Sequence, residues 1–409
     1  MTGRPTFVIV GGGLAGAKAA ETLRGEAFDG RVVLLAAEPE RPYERPPLSK
    51  GYLLGTEERG SAFVHPEDWY ADNAVELRLN SRVVSLDPAA HEVELEAGER
   101  LRYDKVLLTT GSTPRRLDVA GAHLEGVLYL RELPDADRLR DVLTEGHRVA
   151  IVGAGWIGLE VAAAARHHGA EVTVVEVAKL PLQRVLGDEV AEVFADLHRG
   201  HGVDLRLGTG VADLVGDSGR VVAVITTNGD EIVADTVVVG IGIRPMTDLA
   251  EAAGLAVDDG IAVDAKLQTA DPDVYAAGDV ASVDHPLLGT RIRVEHWANA
   301  LHGGPAAARS MLGQDVSYDR MPYFFTDQYD LGMEYTGHAP PGSYEQVVLR
   351  GDVPGRAFHA VWLSAGRALA GMHVNLWDDG IAPLEELVRS GRVLDAERLS
   401  DPEVPLDQV

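Results

Sequence analysis

Apolar and polar positions fall into two recurring rhythms along this chain of 409 residues. A short apolar run, Phe7 to Val10, breaks off at the glycines of GGGLAG (Gly11 to Gly16), and an alanine-rich stretch, Ala17 to Leu23, follows. A second apolar run, Val32 to Leu35, comes next and leads to Glu38. Short apolar runs bounded by turn residues predict buried strands, and the alanine-rich segment between them predicts a helix, so the order is strand, helix, strand. The same rhythm returns at Val149 to Val152, GAGWIG (Gly153 to Gly158), the helical stretch Leu159 to His167 and a strand Val172 to Val175 that ends at Glu176.

The repeat extends beyond the glycines. Asp104, Val106, Gly111 and Pro114 stand at offsets 0, 2, 7 and 10, and Asp235, Val237, Gly242 and Pro245 stand at the same offsets. Self-similarity of this kind predicts two copies of one architecture. Residues Val83 to Leu95 and Val211 to Val233 alternate as strands do, with turn signals such as Asn228-Gly229, and predict a small antiparallel sheet inserted in each copy. Beyond Gly313 aromatic residues cluster (Tyr318, Tyr323, Phe324, Phe325, Tyr329, Tyr335), which predicts a third, α+β domain. It closes in a helix near Leu384 to Arg389 capped by Gly391, and the residues after it are expected to be loosely ordered. The expected fold class is α/β: two Rossmann-like dinucleotide-binding domains, residues 1–111 with 243–316 and residues 112–242, plus a C-terminal α+β domain over 317–409.

A glycine loop between strand and helix has a specific chemistry. Gly11 allows the tight turn, Gly13 admits a pyrophosphate against the backbone, and Gly16 lets helix and strand pack closely. The N–H groups that open the helix, around Leu14 and Ala15, attract the phosphate charge. Gly153, Gly155 and Gly158, with Trp156 and Ile157 between them, repeat the device. Glu38 lies 22 residues beyond Gly16 and Glu176 lies 18 beyond Gly158, the distance at which an acid bonds ribose hydroxyls. A carboxylate there repels a 2′-phosphate, so Glu176 predicts NADH over NADPH. Two cradles in one chain suggest two different nucleotides, and a hydride from nicotinamide needs an acceptor, usually a flavin. TADPDVYAAGD, Thr269 to Asp279, ends an apolar strand at Gly278-Asp279, where an acid can bond a polyol.

Composition narrows the chemistry. The chain has no cysteine, which excludes disulfides, cysteine-ligated iron–sulfur clusters and a redox dithiol. A formal net charge of −27 argues against nucleic acid. No apolar run reaches about 18–20 residues, so no membrane span is expected. The first apolar run is too short for a signal peptide, and a cytoplasmic location is expected.

RPYERPPLSK (Arg41 to Lys50), VEHWANA (Val294 to Ala300), PYFFTDQYDLGMEYTG (Pro322 to Gly337) and Thr269 to Asp279 resemble segments of the NADH-dependent ferredoxin reductases of cytochrome P450 and Rieske dioxygenase systems. These are putidaredoxin reductase-like flavoproteins with two dinucleotide domains, and relatives of apoptosis-inducing factor share the segments. The resemblance covers essentially the whole chain. It implies FAD on the first copy, NADH on the second and a separate iron–sulfur ferredoxin as partner, with the chain a monomer or homodimer. It further implies that Ala15 and the loop glycines hold the FAD pyrophosphate, that Arg45 and Lys50 contact FAD, and that Val83 lies on the adenine side. Thr110, Gly111 and Arg131 would line the cofactor, Gly278 and Asp279 would meet the ribityl chain, and Trp297 would lie by the isoalloxazine. Gly242 and Glu295 belong to the NAD set. Such proteins often carry an acid where this chain has Ala37, which moves the FAD ribose contact to Glu38. Lys50 and Glu160 are the catalytic candidates: an ammonium stabilises the charge that builds as a flavin gains hydride, and Glu160 fixes its position. A rubredoxin reductase and a redox-sensing protein resembling apoptosis-inducing factor are the alternatives. An acidic ferredoxin meets a charge of the same sign here, so docking is expected at local cations, with Arg115, Arg116, Arg291, Arg293, Arg309 and Arg320 as candidates. Tyr323 to Tyr329 is expected as core of the third domain.

Overall fold

The computed structural model describes residues 4–409, which pack as two compact units. The first unit comprises the chain up to Arg45, Arg59–Thr113 and Ile243–Pro322. Its frame is a five-stranded parallel sheet in the order Val274–Ala276, Lys105–Leu108, Thr6–Val10, Arg31–Leu35, Val75–Arg78. Val8, Ile9, Val32, Val33, Leu34, Leu107 and Leu108 are fully buried, as strands covered on both faces by helices require. The helix Leu14–Gly25 begins three residues before the predicted Ala17, because the glycine turn itself supplies the first turn. It packs against Trp297–Met311 so closely that a Cβ on Gly304 would lie 2.1 Å from the Ala15 carbonyl oxygen. The predicted antiparallel insertion is present as Val83–Asp87, Glu92–Leu95 and Arg100–Arg102.

The second unit comprises Pro46–Glu58, Pro114–Gly242 and Tyr323–Val409. It holds a parallel sheet in the order Asp204–Leu207, Glu171–Glu176, Arg148–Val152, Thr236–Val239, Val127–Leu128. The second insertion is the antiparallel sheet Val211–Asp217, Arg220–Thr226, Glu231–Val233. A five-stranded antiparallel sheet follows in the order Tyr323–Gln328, Leu331–Gly337, Arg367–Val374, Ala357–Ser364, Gln346–Asp352. The helix Ala382–Ser390 ends at Gly391, which takes the left-handed φ of 57° that a glycine cap supplies. One apolar cluster joins Leu159, Val174 and Phe194 to Met333, Phe358 and Trp362, so the C-terminal sheet shares a core with the parallel sheet. Leu53 is buried in that cluster, and the loop Pro46–Glu58 packs with this unit accordingly.

The matched offsets have a physical basis. The Thr6 N–H donates to the Asp104 carboxylate at 2.6 Å, and the Asp104 N–H donates back to the Thr6 carbonyl at 2.8 Å. In the second copy the Arg148 N–H donates to the Asp235 carboxylate at 3.0 Å, and Asp235 returns a bond to the Arg148 carbonyl at 2.9 Å. Each aspartate thus completes the hydrogen bonding of the first residue of its central strand, at the end of the strand opposite the glycine loop. The Arg148 guanidinium also bonds Asp235 and pulls that carboxyl down to about 2.

The end of the chain is tied down, contrary to the expectation from sequence. Arg350 is buried and donates to the carbonyls of Leu399, Asp401, Pro402 and Val404, and Arg392 donates to those of Leu406 and Asp407. A single guanidinium with donors in a fixed fork satisfies four carbonyls between Leu399 and Val404 that would otherwise need water. Arg350→Met keeps the stem and removes the donors. It is expected to cost about 2–3 kcal/mol in denaturant unfolding and to hasten tryptic cleavage at Arg398. An unchanged unfolding midpoint and cleavage rate would contradict the clamp.

Candidate functional site

The two glycine loops have the same geometry. A Cβ on Gly11 (φ 124°) would lie 2.1 Å from the Thr109 carbonyl oxygen, and one on Gly153 (φ 101°) would lie 2.4 Å from that of Gly240. Cβ atoms on Gly16 and Gly158 would lie 2.2 and 2.1 Å from the carbonyl oxygens of Gly11 and Gly153. Those four positions are closed to any side chain. Gly13 and Gly155 differ: nothing stands within 4 Å of where their Cβ would be. Each is the extended N-cap of a 12-residue helix, and neither helix has a side-chain cap. Open ground in front of uncapped helix N–H groups is what a pyrophosphate requires, so both loops fit a dinucleotide. Leu14 and Ala15 are buried and offer backbone. Ile157 is exposed, whereas Trp156 is fixed edge-on to Phe194 and Phe324 at ring separations of 5.7 and 4.9 Å.

In the first unit, Glu38 accepts from Arg45 at 3.0 Å and from the Tyr43 hydroxyl. Two residues singled out for cofactor contact are thus partners of each other, and Tyr43, which sequence reasoning passed over, completes the cluster. Asp279 sits in the turn Gly278–Val280, and a Cβ on Gly278 (φ 77°) would stand 3.2 Å from the Ala15 Cβ, which places this turn beside the first loop. Trp297 opens its helix and donates its indole N–H to Glu44 at 3.0 Å. Thr110 donates to the Met246 carbonyl at 2.8 Å, and Gly111 (φ 69°) accepts from the Met246 N–H at 2.9 Å. Val83 is buried, pairs with Leu95 and turns its side chain into the core. Glu295 also lies in this unit, ion-paired with Arg293.

In the second unit, each oxygen of Glu176 accepts one backbone N–H, from Ala154 at 2.7 Å and from Ala178 at 2.8 Å. The carboxylate is anchored to the glycine loop yet keeps lone pairs for hydroxyl donors. Gly242 (φ 98°) accepts from Arg115 N–H at 2.9 Å, and the Arg131 N–H donates to Asp135 at the head of the helix Leu133–Val142. Of the residues assigned to FAD, Lys50 and Arg131 lie in this unit and the others in the first; of the NAD set, Glu295 alone lies in the first.

Lys50 and Glu160 do meet. The ammonium lies 2.7 Å from Glu160 Oε1, with the two side chains 16% and 3% exposed. A carboxylate this buried needs further donors. Thr326 donates to the same oxygen at 2.6 Å, and the Ser49 hydroxyl donates to the other. Lys50 Nζ also stands 5.2 Å from the centre of the Phe325 ring. Behind Thr326, Gln328 Nε2 donates to the threonine hydroxyl at 3.2 Å, and Gln328 Oε1 lies 2.8 Å from His198 Nε2. Burial pulls His198 down to about 4, so it is neutral at pH 7. Sequence reasoning missed Ser49, Thr326, Gln328 and His198 and took Tyr323 to Tyr329 as core. The strand alternates instead: Phe324, Thr326 and Gln328 share a buried face, and two of the three are polar. Polar residues in phase with a buried face were the available signal. Several docking candidates are already neutralised: Arg291 pairs with Asp284, Arg293 with Glu295, and Arg309 with Glu26.

The sequence profile of the pyridine nucleotide-disulphide oxidoreductase family matches residues 5–304, and the reductase C-terminal profile matches residues 323–409. The chain is 41% identical to the anthranilate 1,2-dioxygenase system ferredoxin–NAD(+) reductase component of Burkholderia cepacia, over 98% of each chain. It is 39% identical to the 5,5'-dehydrodivanillate O-demethylase ferredoxin reductase subunit of Sphingobium sp. (strain NBRC 103272 / SYK-6), over 98% of this chain and 97% of that one. Its structure matches the reductase in the covalent putidaredoxin reductase–putidaredoxin complex with a TM-score of 0.95 and 33% identity, covering 99% of this chain and 98% of that one.

The buried histidines set a pH dependence. His198 and His359 are both pulled down to about 4 by burial, below the unfolded value near 6.5. The native state therefore favours their neutral forms. Their contribution is complete above about pH 6.5 and is lost as pH falls towards 4. His198 alone should account for a loss of order 3 kcal/mol across that window. Denaturant melts at pH 7 and pH 4.5 should show a smaller loss for His198→Gln than for the wild type. Equal losses would place the histidine in contact with water.

Proposed function

We propose that this chain, which belongs to the pyridine nucleotide-disulphide oxidoreductase family, is an FAD-containing, NADH-dependent ferredoxin reductase. It takes electrons from NADH and hands them singly to a separate iron–sulfur ferredoxin, which serves a P450 or Rieske oxygenase. The observation that carries this reading is the pair of open, uncapped glycine cradles in a chain without cysteine. Two cradles accommodate two dinucleotides. Without cysteine the chain has no dithiol of the kind disulfide reduction requires, so electrons that enter must leave to another molecule.

The first cradle, with Gly11, Gly13, Ala15 and Gly16, would hold the FAD pyrophosphate, with Glu38 and Arg45 as an ion-paired contact and Asp279 at the ribityl chain. The second, with Gly153, Gly155 and Gly158, would hold NADH, with Glu176 on the ribose hydroxyls and against a 2′-phosphate. The domains would be residues 1–111 with 243–316 for FAD, 112–242 for NADH and 317–409 as the interface domain. When bound, FAD supplies the step from a two-electron hydride to single electrons. The protein's part is electrostatic: Lys50 presents a positive charge for the negative charge that hydride transfer creates, and Glu160 holds that ammonium in place. Among the described residues no helix is long and apolar enough to cross a membrane, and we take the enzyme to work in the cytoplasm.

Lys50→Ala tests the assignment. Rapid mixing with NADH should show flavin reduction slowed about a hundredfold, with the flavin absorbance of the purified protein unchanged. Wild-type reduction rates would remove Lys50 from the chemistry.

A further inference from the structure

The hydrogen bonds behind Glu160 have a direction. Thr326 has one hydroxyl proton and gives it to Glu160 Oε1, so its oxygen can only accept from Gln328 Nε2. With its amide nitrogen turned to Thr326, Gln328 presents Oε1 to His198, and a carbonyl oxygen needs a donor. His198 is fully buried and neutral, so the proton must sit on Nε2. Nδ1 is then an acceptor, and the Tyr329 hydroxyl lies 3.4 Å from it. Tyr329 is held by stacking on His201 at a ring separation of 3.7 Å. Every donor from Tyr329 inward points towards the Glu160 carboxylate. Thr326, Gln328 and His198 are each at most 1% exposed, so water cannot replace a missing link without a cavity.

We propose that Thr326, Gln328 and His198 are positioning residues for the Lys50–Glu160 pair. They form a one-way chain of hydrogen-bond dipoles that fixes the oxygen that holds Lys50. The chain crosses from the C-terminal sheet (Thr326, Gln328) to the helix Asp188–Gly200 (His198) and the helix Trp156–His167 (Glu160), all in the second unit. Hydrogen bonds aligned in series polarise one another, and in a water-free interior their effect reaches further than a single contact. Ser49 alone would satisfy Oε2, but Oε1 carries both Lys50 and Thr326, so loss of the threonine donor bears directly on the oxygen the ammonium uses. This inference rests on the reading of Lys50 and Glu160 as the pair that serves hydride transfer.

The test uses the full FAD-loaded chain. Thr326→Val keeps the shape and removes the donor; Thr326→Ser keeps the donor. With glutamate carboxyls labelled in ¹³C, the Glu160 resonance is identified by its loss in Glu160→Gln. At pH 7.5 Thr326→Val should shift that resonance and Thr326→Ser should return it, while ¹⁵N spectra of the wild type show His198 protonated on Nε2. Flavin reduction by NADH should slow about tenfold in Thr326→Val, with KM for NADH within about twofold, and recover to within about threefold in Thr326→Ser. A Glu160 resonance that stays in place in folded Thr326→Val, or a His198 protonated on Nδ1, overturns the chain. The spectra are read without turnover, so they decide the chain separately from the catalytic role of the pair.

Discussion

A carboxylate taken out of water dictates the organisation of the second unit. Glu160 is almost wholly buried, and an unpaired charge there would cost several kcal/mol. Its partners come from two other stretches of chain: Ser49 and Lys50 from the loop after Arg45, and Thr326 from the C-terminal sheet. The loop Pro46–Glu58, the helix after the second glycine loop and the C-terminal sheet therefore have to pack as one body. The apolar cluster that joins Leu53, Leu159 and Met333 provides the area for that packing, and the buried ion pair fixes its register. The C-terminal sheet is thus part of the site rather than an appendage to it.

The duplication rests on backbone constraints. In both copies the first glycine faces a carbonyl a little over 2 Å from its missing Cβ, the third faces the carbonyl of the first, and only the second opens on space. In both an aspartate binds the first residue of the central strand through side chain and backbone. The common frame then diverges in its acids. Glu176 is pinned by backbone N–H groups at the end of its strand, whereas Glu38 lies beyond the end of its strand and is pinned by Arg45 and Tyr43. One frame with two different acid settings suits two different dinucleotides.

What was legible in the sequence follows from how local the physics is. Strands and glycine loops were legible because their constraints act largely within one strand–turn–helix unit, and the matched aspartates were legible only because their offsets recur, since each bonds a strand 98 or 87 residues earlier. The helices start at Leu14 and Trp156, a turn before the Ala17 and Leu159 that apolar patterning predicts, because the first turn is written in the glycine motif itself. Lys50 and Glu160 stand 110 residues apart and were joined by family resemblance, not by spacing. Thr326, Gln328 and His198 escaped because a buried polar residue acquires its role only from the partner that tertiary packing supplies. Arg350 escaped for the same reason, and its four carbonyl partners order a tail that composition alone marked as loose. The net charge of −27 had pointed docking to local arginines, yet Arg291, Arg293 and Arg309 turn out to be spent on neighbouring acids.

Without cysteine, electrons gathered from NADH have no thiol to rest on and must go to a partner. The most direct measurement is steady-state NADH oxidation by the FAD-loaded protein with cytochrome c as final acceptor, with and without a [2Fe–2S] ferredoxin. A ferredoxin reductase gives cytochrome c reduction that rises and saturates with added ferredoxin and is slight without it. A rate indifferent to ferredoxin, with a long-lived complex of reduced flavin and NAD(+), would contradict the account and identify a redox sensor instead.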